Sequence, residues 1–159
     1  MTPPLDHRLR PATTADGPAV RQLVFAVLTE HGLAPDPLGT DADLADIEAS
    51  YRGGGFHVLE AADGRIVGCV GIAPLDTVAC ELRKMYLAAD ARGSGLGRLL
   101  LDTALANARA VGFRRVVLET ATVLERAVAL YLKYGFTPFR PDHLAARCDA
   151  AYALDLDEE

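Results

Sequence analysis

Six residues, Arg92-Gly93-Ser94-Gly95-Leu96-Gly97, constrain the fold of this chain more than any other stretch. They follow an alternating, strand-like run from Cys80 to Leu87 and open a helix-like run from Leu96 to Val111. Three glycines in five positions let the backbone turn tightly and let a ligand approach bare amides. A helix that begins in such a loop presents unpaired N–H groups and the positive end of its dipole, which suits an anion. Arg92 and Arg98 bracket the loop with positive charge. Taken alone, the loop is equally compatible with an ordinary glycine-rich connection between a strand and a helix.

Composition bounds the rest. The chain has 159 residues, half of them hydrophobic, which is one domain's worth (1–159) with enough apolar material for a core. Its longest apolar run, Ile66 to Leu75, is broken by Gly68, Gly71 and Pro74, so no membrane association is expected. The start, Met1-Thr2-Pro3-Pro4-Leu5-Asp6, lacks the basic and apolar pattern of a secretory signal. Three widely spaced cysteines and four scattered histidines form neither a disulfide framework nor a metal site, and a cytoplasmic, reducing location fits them. The net charge of −6, with no long basic run, argues against nucleic acid as a partner and leans toward a cationic small molecule.

Periodicity gives the order of elements. Leu9 to Pro11 reads as a strand. Asp16 as N-cap, Pro18 in the first turn and Val20, Leu23, Val24 and Val27 predict a helix to about Glu30. Thr40 and Asp43 resemble a capping box for a second helix carrying Leu44, Ile47 and Tyr51 and ending at Gly53-Gly54-Gly55. Phe56 to Ala61 and Ile66 to Ile72 are β-rich runs around Asp63-Gly64, a hairpin signal, and a further turn leads into Cys80 to Leu87. After the glycine loop come a helix stopped by Gly112, a strand from Arg115 to Thr120, a helix from Leu124 to Tyr134 stopped by Gly135, and strands at 136–139 and 151–156. The result is a mixed α/β (α+β) chain, β-α-α-βββ-α-β-α-ββ, with helices on both sides of one mixed sheet.

This order resembles the GNAT family, the Gcn5-related N-acetyltransferases, over roughly Arg8 to Leu156. Arg92, Gly95 and Gly97 match the family's Arg/Gln-x-x-Gly-x-Gly/Ala element, and Tyr131-Leu132-Lys133-Tyr134-Gly135-Phe136 matches its Tyr-x-x-x-Gly-Phe element. Two such motifs separated by one helix and one strand form a specific signal. The resemblance implies a mostly antiparallel central sheet flanked by helices, with a V-shaped splay between the fourth and fifth strands. It implies acetyl-CoA as the donor cosubstrate, its pyrophosphate resting on the amides of Arg92, Gly93, Ser94, Gly95, Leu96, Gly97 and Arg98. The pantetheine arm would run along Met85, Tyr86 and Leu87 like an added strand. A side chain at Gly95 or Gly97 would obstruct that approach. The family's usual asparagine seven positions before the tyrosine is Leu124 here, which removes one polar contact to coenzyme A.

The implied chemistry is acetyl transfer from a thioester to an amine. An amine with a lysine-like pKa must lose a proton before attack, at a cost of about 4.6 kcal/mol at pH 7. A base is therefore useful. Glu81 stands where the histone acetyltransferase branch carries its glutamate base. Strand alternation puts Glu81, Arg83 and Met85 on one face and Leu82, Lys84 and Tyr86 on the other, so Glu81 either faces the acceptor or pairs with Arg83 or Lys84. Tyr131 is at the family's acid position, while Ala127, Tyr131 and Tyr134 also form a helical stripe of the kind that packs. A backbone N–H near Met85 is the family's oxyanion donor.

The acceptor, a small-molecule or peptide amine, would sit between the first two helices and the late hairpin, roughly Phe25 to Tyr51 and Pro138 to Tyr152. Asp36, Asp41, Asp43 and Asp46 could attract a cation or serve as caps, and Asp142, His143, Arg147 and Asp149 could favour a zwitterion. Other readings fit less well. A dinucleotide fold would need a third glycine at Arg98, and a P-loop would need Gly-Lys-Ser/Thr. A silent acyl-CoA sensor would not need Tyr131 and Glu81. An acyl-enzyme on Cys80 or Cys148 has no adjacent histidine in sequence. A homodimer through the late strands is compatible with the family.

Overall fold

A computed structural model describes residues 6–156. The strands are β1 (His7–Pro11), β2 (Gly55–Ala61), β3 (Ile66–Pro74), β4 (Ala79–Leu87), β5 (Arg115–Thr120), β6 (Thr137–Pro138) and β7 (Ala150–Asp155). The α-helices are α1 (Gly17–Glu30), α2 (Ile47–Ser50), α3 (Leu96–Val111) and α4 (Glu125–Lys133). The strands form one seven-stranded sheet in the order β1-β2-β3-β4-β5-β7-β6. Every pairing is antiparallel except β4 with β5, as a mixed α+β fold requires and a doubly wound dinucleotide fold does not allow. Among the described residues no helix is long and apolar enough to cross a membrane.

Each face of the sheet is covered by the helices that the apolar spacing predicts. Val20, Leu23, Val24, Val27 and Leu28 of α1 repeat every three or four residues and bury against Val58, Cys69 and Ala73. On the other face Leu96, Leu99, Leu100, Ala104 and Ala108 of α3 pack with Leu59, Ile72, Leu82, Val116 and Leu118, joined by Tyr131 and Phe136. Gly112 closes α3 in the left-handed conformation at φ 109°, as expected of its C-cap.

Three elements depart from the sequence reading. The second helix is reduced to a 3₁₀ turn at Ala42–Ala45 and the single turn of α2, capped by Asp46, which accepts from the Ala49 N–H at 3.2 Å. The predicted Thr40–Asp43 box does not form, because Asp43 turns instead to the Tyr51 hydroxyl and the Lys84 ammonium. Residues 136–139 shrink to a two-residue strand, β6. Asp16 does sit at the N-cap of α1, but its carboxylate is drawn to Arg10, with both contacts at 2.9 Å, and makes no side-chain cap.

The departure that matters most lies in β4. Its pairing with β3 runs Gly71↔Arg83 and then Cys69↔Tyr86, so two β4 residues, Lys84 and Met85, oppose one β3 residue. Lys84 takes φ +56°, a left-handed conformation unusual for a side-chain-bearing residue. This bulge reverses the alternation beyond it. Met85 and Leu87 join Cys80 and Leu82 on the α3 face, and Tyr86 packs on the α1 face, where Arg83 meets Tyr51. The predicted grouping of Glu81, Arg83 and Met85 on one face is therefore corrected: Met85 and Tyr86 exchange sides.

Candidate active site

The β4–β5 ladder spans only Ala79↔Arg115, Cys80↔Val116 and Glu81↔Val117, although β4 continues to Leu87 and β5 to Thr120. Beyond Glu81 the two strands separate, leaving an opening inside the sheet. On one side it leads to a groove of about 720 Å³ walled by β4, the glycine loop and α4. On the other it leads to a cleft of about 490 Å³ walled by β4, β5, the α1–α2 connection and the β6–β7 loop. Met85, Tyr86, Leu124 and Ala127 line both spaces.

At the groove, Gly93 and Gly95 take φ 88° and 83°, conformations that a side chain would strain. Gly95 is the N-cap of α3, so the N–H groups of Leu96, Gly97 and Arg98 begin the helix without intrahelical acceptors. A Cβ on Gly97 would lie 3.6 Å from Leu87 and 3.9 Å from Leu130, ordinary contacts. The protein alone therefore tolerates a side chain there, and a glycine requirement can come only from a group lying against the backbone. The Ser94 hydroxyl donates back to the Ala91 carbonyl at 3.3 Å, and Arg98 is exposed. Arg92 is not free positive charge. It pairs with Glu30 of α1, one contact at 2.9 Å, and donates to the Leu87 carbonyl at 2.9 and 3.2 Å, pinning the loop to the end of β4. One of the strand carbonyls expected to meet the pantetheine arm is thus already engaged. Leu124 is the N-cap of α4 and supplies no side-chain cap.

The cleft contains both proposed catalytic residues. Glu81 lines it and also accepts from the Arg83 Nε, so facing the acceptor and pairing with Arg83 are compatible. Tyr131, at 4% exposed, is held by packing with Phe136 (ring centroids 5.6 Å apart) and borders the cleft. It thus packs in its helical stripe and lines the cleft at the same time. Burial raises the Tyr131 phenol, with Tyr86 adding to the effect, so it keeps its proton at neutral pH. Tyr86 is likewise pushed up to about 12, by burial above all.

The aspartates expected near the acceptor are largely committed to the protein. Asp36 caps the Thr40 N–H at 2.9 Å. Asp41 is almost fully buried and receives two hydrogen bonds from Arg147, at 2.6 and 2.7 Å. The Lys84 ammonium lies 3.4 Å from Asp41 and 3.1 Å from Asp43, and donates to the Thr40 carbonyl at 3.2 Å. Burial would raise the Asp41 carboxyl, but Arg147, the Asp36 N–H and Lys84 outweigh it and hold the group below its ordinary value. Asp149 accepts from the N–H and hydroxyl of Thr122 at 2.7 and 2.8 Å. Arg147, doubly bonded to Asp41, is therefore not free to receive the carboxylate of a zwitterion. Sequence reading missed the Glu30–Arg92 and Asp41–Arg147 pairs, which join residues 62 and 106 positions apart. It also missed the role of Lys84, for which a cation in the middle of a core strand was the available signal.

A parallel strand pair opened at its end, a glycine loop at a helix N-terminus and a cleft meeting the groove define an acyl-transfer scaffold. Comparison with known proteins agrees. The model of the acetyltransferase (GNAT) family matches residues 24–136. The uncharacterized N-acetyltransferase YjgM of Escherichia coli K12 is 39% identical over 135 residues, covering 80% of each chain. A GNAT-family acetyltransferase of Staphylococcus aureus Mu50 superposes with a TM-score of 0.88 at 21% identity, over 95% of this chain and 99% of that one. The structure of yncA from Salmonella typhimurium, solved with its cofactor acetyl-CoA, gives a TM-score of 0.73 at 25% identity, over 96% and 95%. The chain belongs to the GNAT acetyltransferase family, and its relatives are N-acetyltransferases.

Proposed function

We propose that the protein transfers the acetyl group of acetyl-CoA to a primary amine of a small molecule or peptide, directly, in a ternary complex. The observation that carries this reading is the meeting of groove and cleft at Met85, Tyr86, Leu124 and Ala127. Donor and acceptor entering from opposite sides reach one point, and no carrier on the protein is needed. The thiols support direct transfer. Cys148 lines the cleft, but burial raises its thiol, and burial pushes Cys69 and Cys80 up to about 12. Three free cysteines also suit a cytoplasmic, reducing setting.

The residues of the groove fit the donor. The N-terminal amides of α3 can receive a pyrophosphate, and the free edge of β4 beyond Glu81 can pair with an amide-bearing arm. When bound, the donor supplies a thioester carbonyl to be attacked. Glu81 would accept the ammonium proton of the acceptor, directly or through water. The backbone turned by the bulge at Met85 would donate to the carbonyl oxygen as it gains charge. Tyr131 would deliver its phenolic proton to the departing thiolate.

The test is thiol release from acetyl-CoA across amino acids, polyamines, aminoglycosides and N-terminal peptides, with Tyr131→Phe in parallel. Release that depends on one amine class, cut about 10²–10⁴-fold in kcat by Tyr131→Phe with acetyl-CoA affinity kept, is the expected result. Acetyl-CoA binding with silence across the panel would point to a sensor. Absence of binding would overturn the assignment of the groove.

A further inference from the structure

We propose that Glu119 is an acceptor-recognition residue that holds a second positive charge on the substrate, making di- and polyamines the acceptor class. The inference rests on the N-acetyltransferase reading and adds to it what the acceptor must look like.

The charges of the cleft sort into pairs with one left over. Arg83 donates through Nε to Glu81. Arg147 is doubly bonded to Asp41. Lys84 lies against Asp43 and Asp41. Each of these three cations in or behind the wall is therefore answered by a carboxylate. Glu119 also lines the cleft, and its partner is neutral: Oε1 accepts from the Ala145 N–H at 2.8 Å. Among the described residues no cation pairs with it. His143, the remaining nitrogen base of the wall, is exposed.

Glu119 stands where a substrate would pass. The β4–β5 ladder ends at Glu81↔Val117, and Glu119 is two residues further along β5. Strand alternation keeps it on the face of Val117, while Val116 and Leu118 turn into the core beneath α3. Glu81 and Glu119 thus face the cleft from opposite arms of the splay, and both line it.

A cleft carboxylate with no cationic partner is open to an ammonium, which it can meet through a charge-assisted hydrogen bond. An acceptor whose reacting nitrogen lies by Glu81 and whose second ammonium reaches Glu119 satisfies both arms. The α-carboxylate of an amino acid would instead approach two glutamates, with every fixed cation already matched.

The experiment measures kcat and KM for diamines and spermidine, for length-matched monoamines and for amino acids, with Glu119→Gln beside the unaltered protein. Glutamine keeps an acceptor for the Ala145 N–H, and acetyl-CoA binding and the thermal midpoint check that the fold is retained. We expect kcat/KM for diamines at least tenfold above matched monoamines. Glu119→Gln should raise the diamine KM about 10–100-fold, lower monoamine kcat/KM by at least tenfold less than that, and keep acetyl-CoA affinity. Equal use of monoamines, a preference for amino acids, an equal loss for every amine in Glu119→Gln, or silence toward all amines despite acetyl-CoA binding would each overturn the inference. Failure to bind acetyl-CoA would instead overturn the function beneath it.

Discussion

Gly97 separates what the fold needs from what a ligand needs. A methyl group there would touch only Leu87 and Leu130 at ordinary distances, and alanine is the better helix former. Gly97→Ala should leave the thermal midpoint unchanged or raise it, by up to about 1 kcal/mol of stability, while weakening acetyl-CoA binding tenfold or more. Calorimetric unfolding and titration on one sample check both halves. Equal affinity in the variant would remove the glycine loop from the binding site. The glycines of this loop were legible in the sequence because their spacing and flanking elements constrain the local backbone. The ion-pair partner of Arg92 was not legible, because Glu30 is 62 positions away and is brought to it only by the packing of α1.

Lys84 shows why strand β4 resisted prediction. Alternation is reliable while a ladder is regular, and a single extra residue reverses it for all that follows. The bulge is held by contacts that local sequence does not contain: the Lys84 side chain reaches Thr40, Asp41 and Asp43 on the α1–α2 connection. The same contacts explain why the second helix shortened, since the aspartates expected to cap it face Lys84 and Tyr51 instead. By contrast the Asp63-Gly64 hairpin, α1 and α3 rest on nearby residues and were read correctly. Lys84→Met would take the ammonium away from buried Asp41 and from part-buried Asp43 beside Tyr51, and should cost about 3–5 kcal/mol. A denaturant midpoint that falls with an unchanged slope is the expected signature. A variant as stable as the parent would show that the ion pairs do not hold the bulge.

Across the whole molecule the Asp41–Arg147 pair ties the α1–α2 connection to the β6–β7 loop and encloses the cleft between them. Asp41 is held below its ordinary carboxylate value, and Asp16 is too, through Arg10 first of all. A folded-state pKa below the unfolded one contributes stability that is fully present above about pH 4 and is lost as pH falls through the folded value. Thermal midpoints should therefore stay level near neutrality and drop steeply below about pH 4, and Asp41→Asn should flatten that drop while lowering the neutral-pH midpoint. An acid limb with the same slope in the variant would assign the loss to other groups.

The early end of the β4–β5 ladder has one more result. A strand with a neighbour on only one side exchanges its outward amide hydrogens with solvent, and here that condition occurs in the middle of the sheet as well as at its rims. Amides of residues 82–87 and 118–120 should exchange with deuterium faster than those of β2 and β3, and slow when an extended ligand occupies the gap. The most protected hydrogens would then outline the bound molecule, giving its length and position from the protein's own backbone.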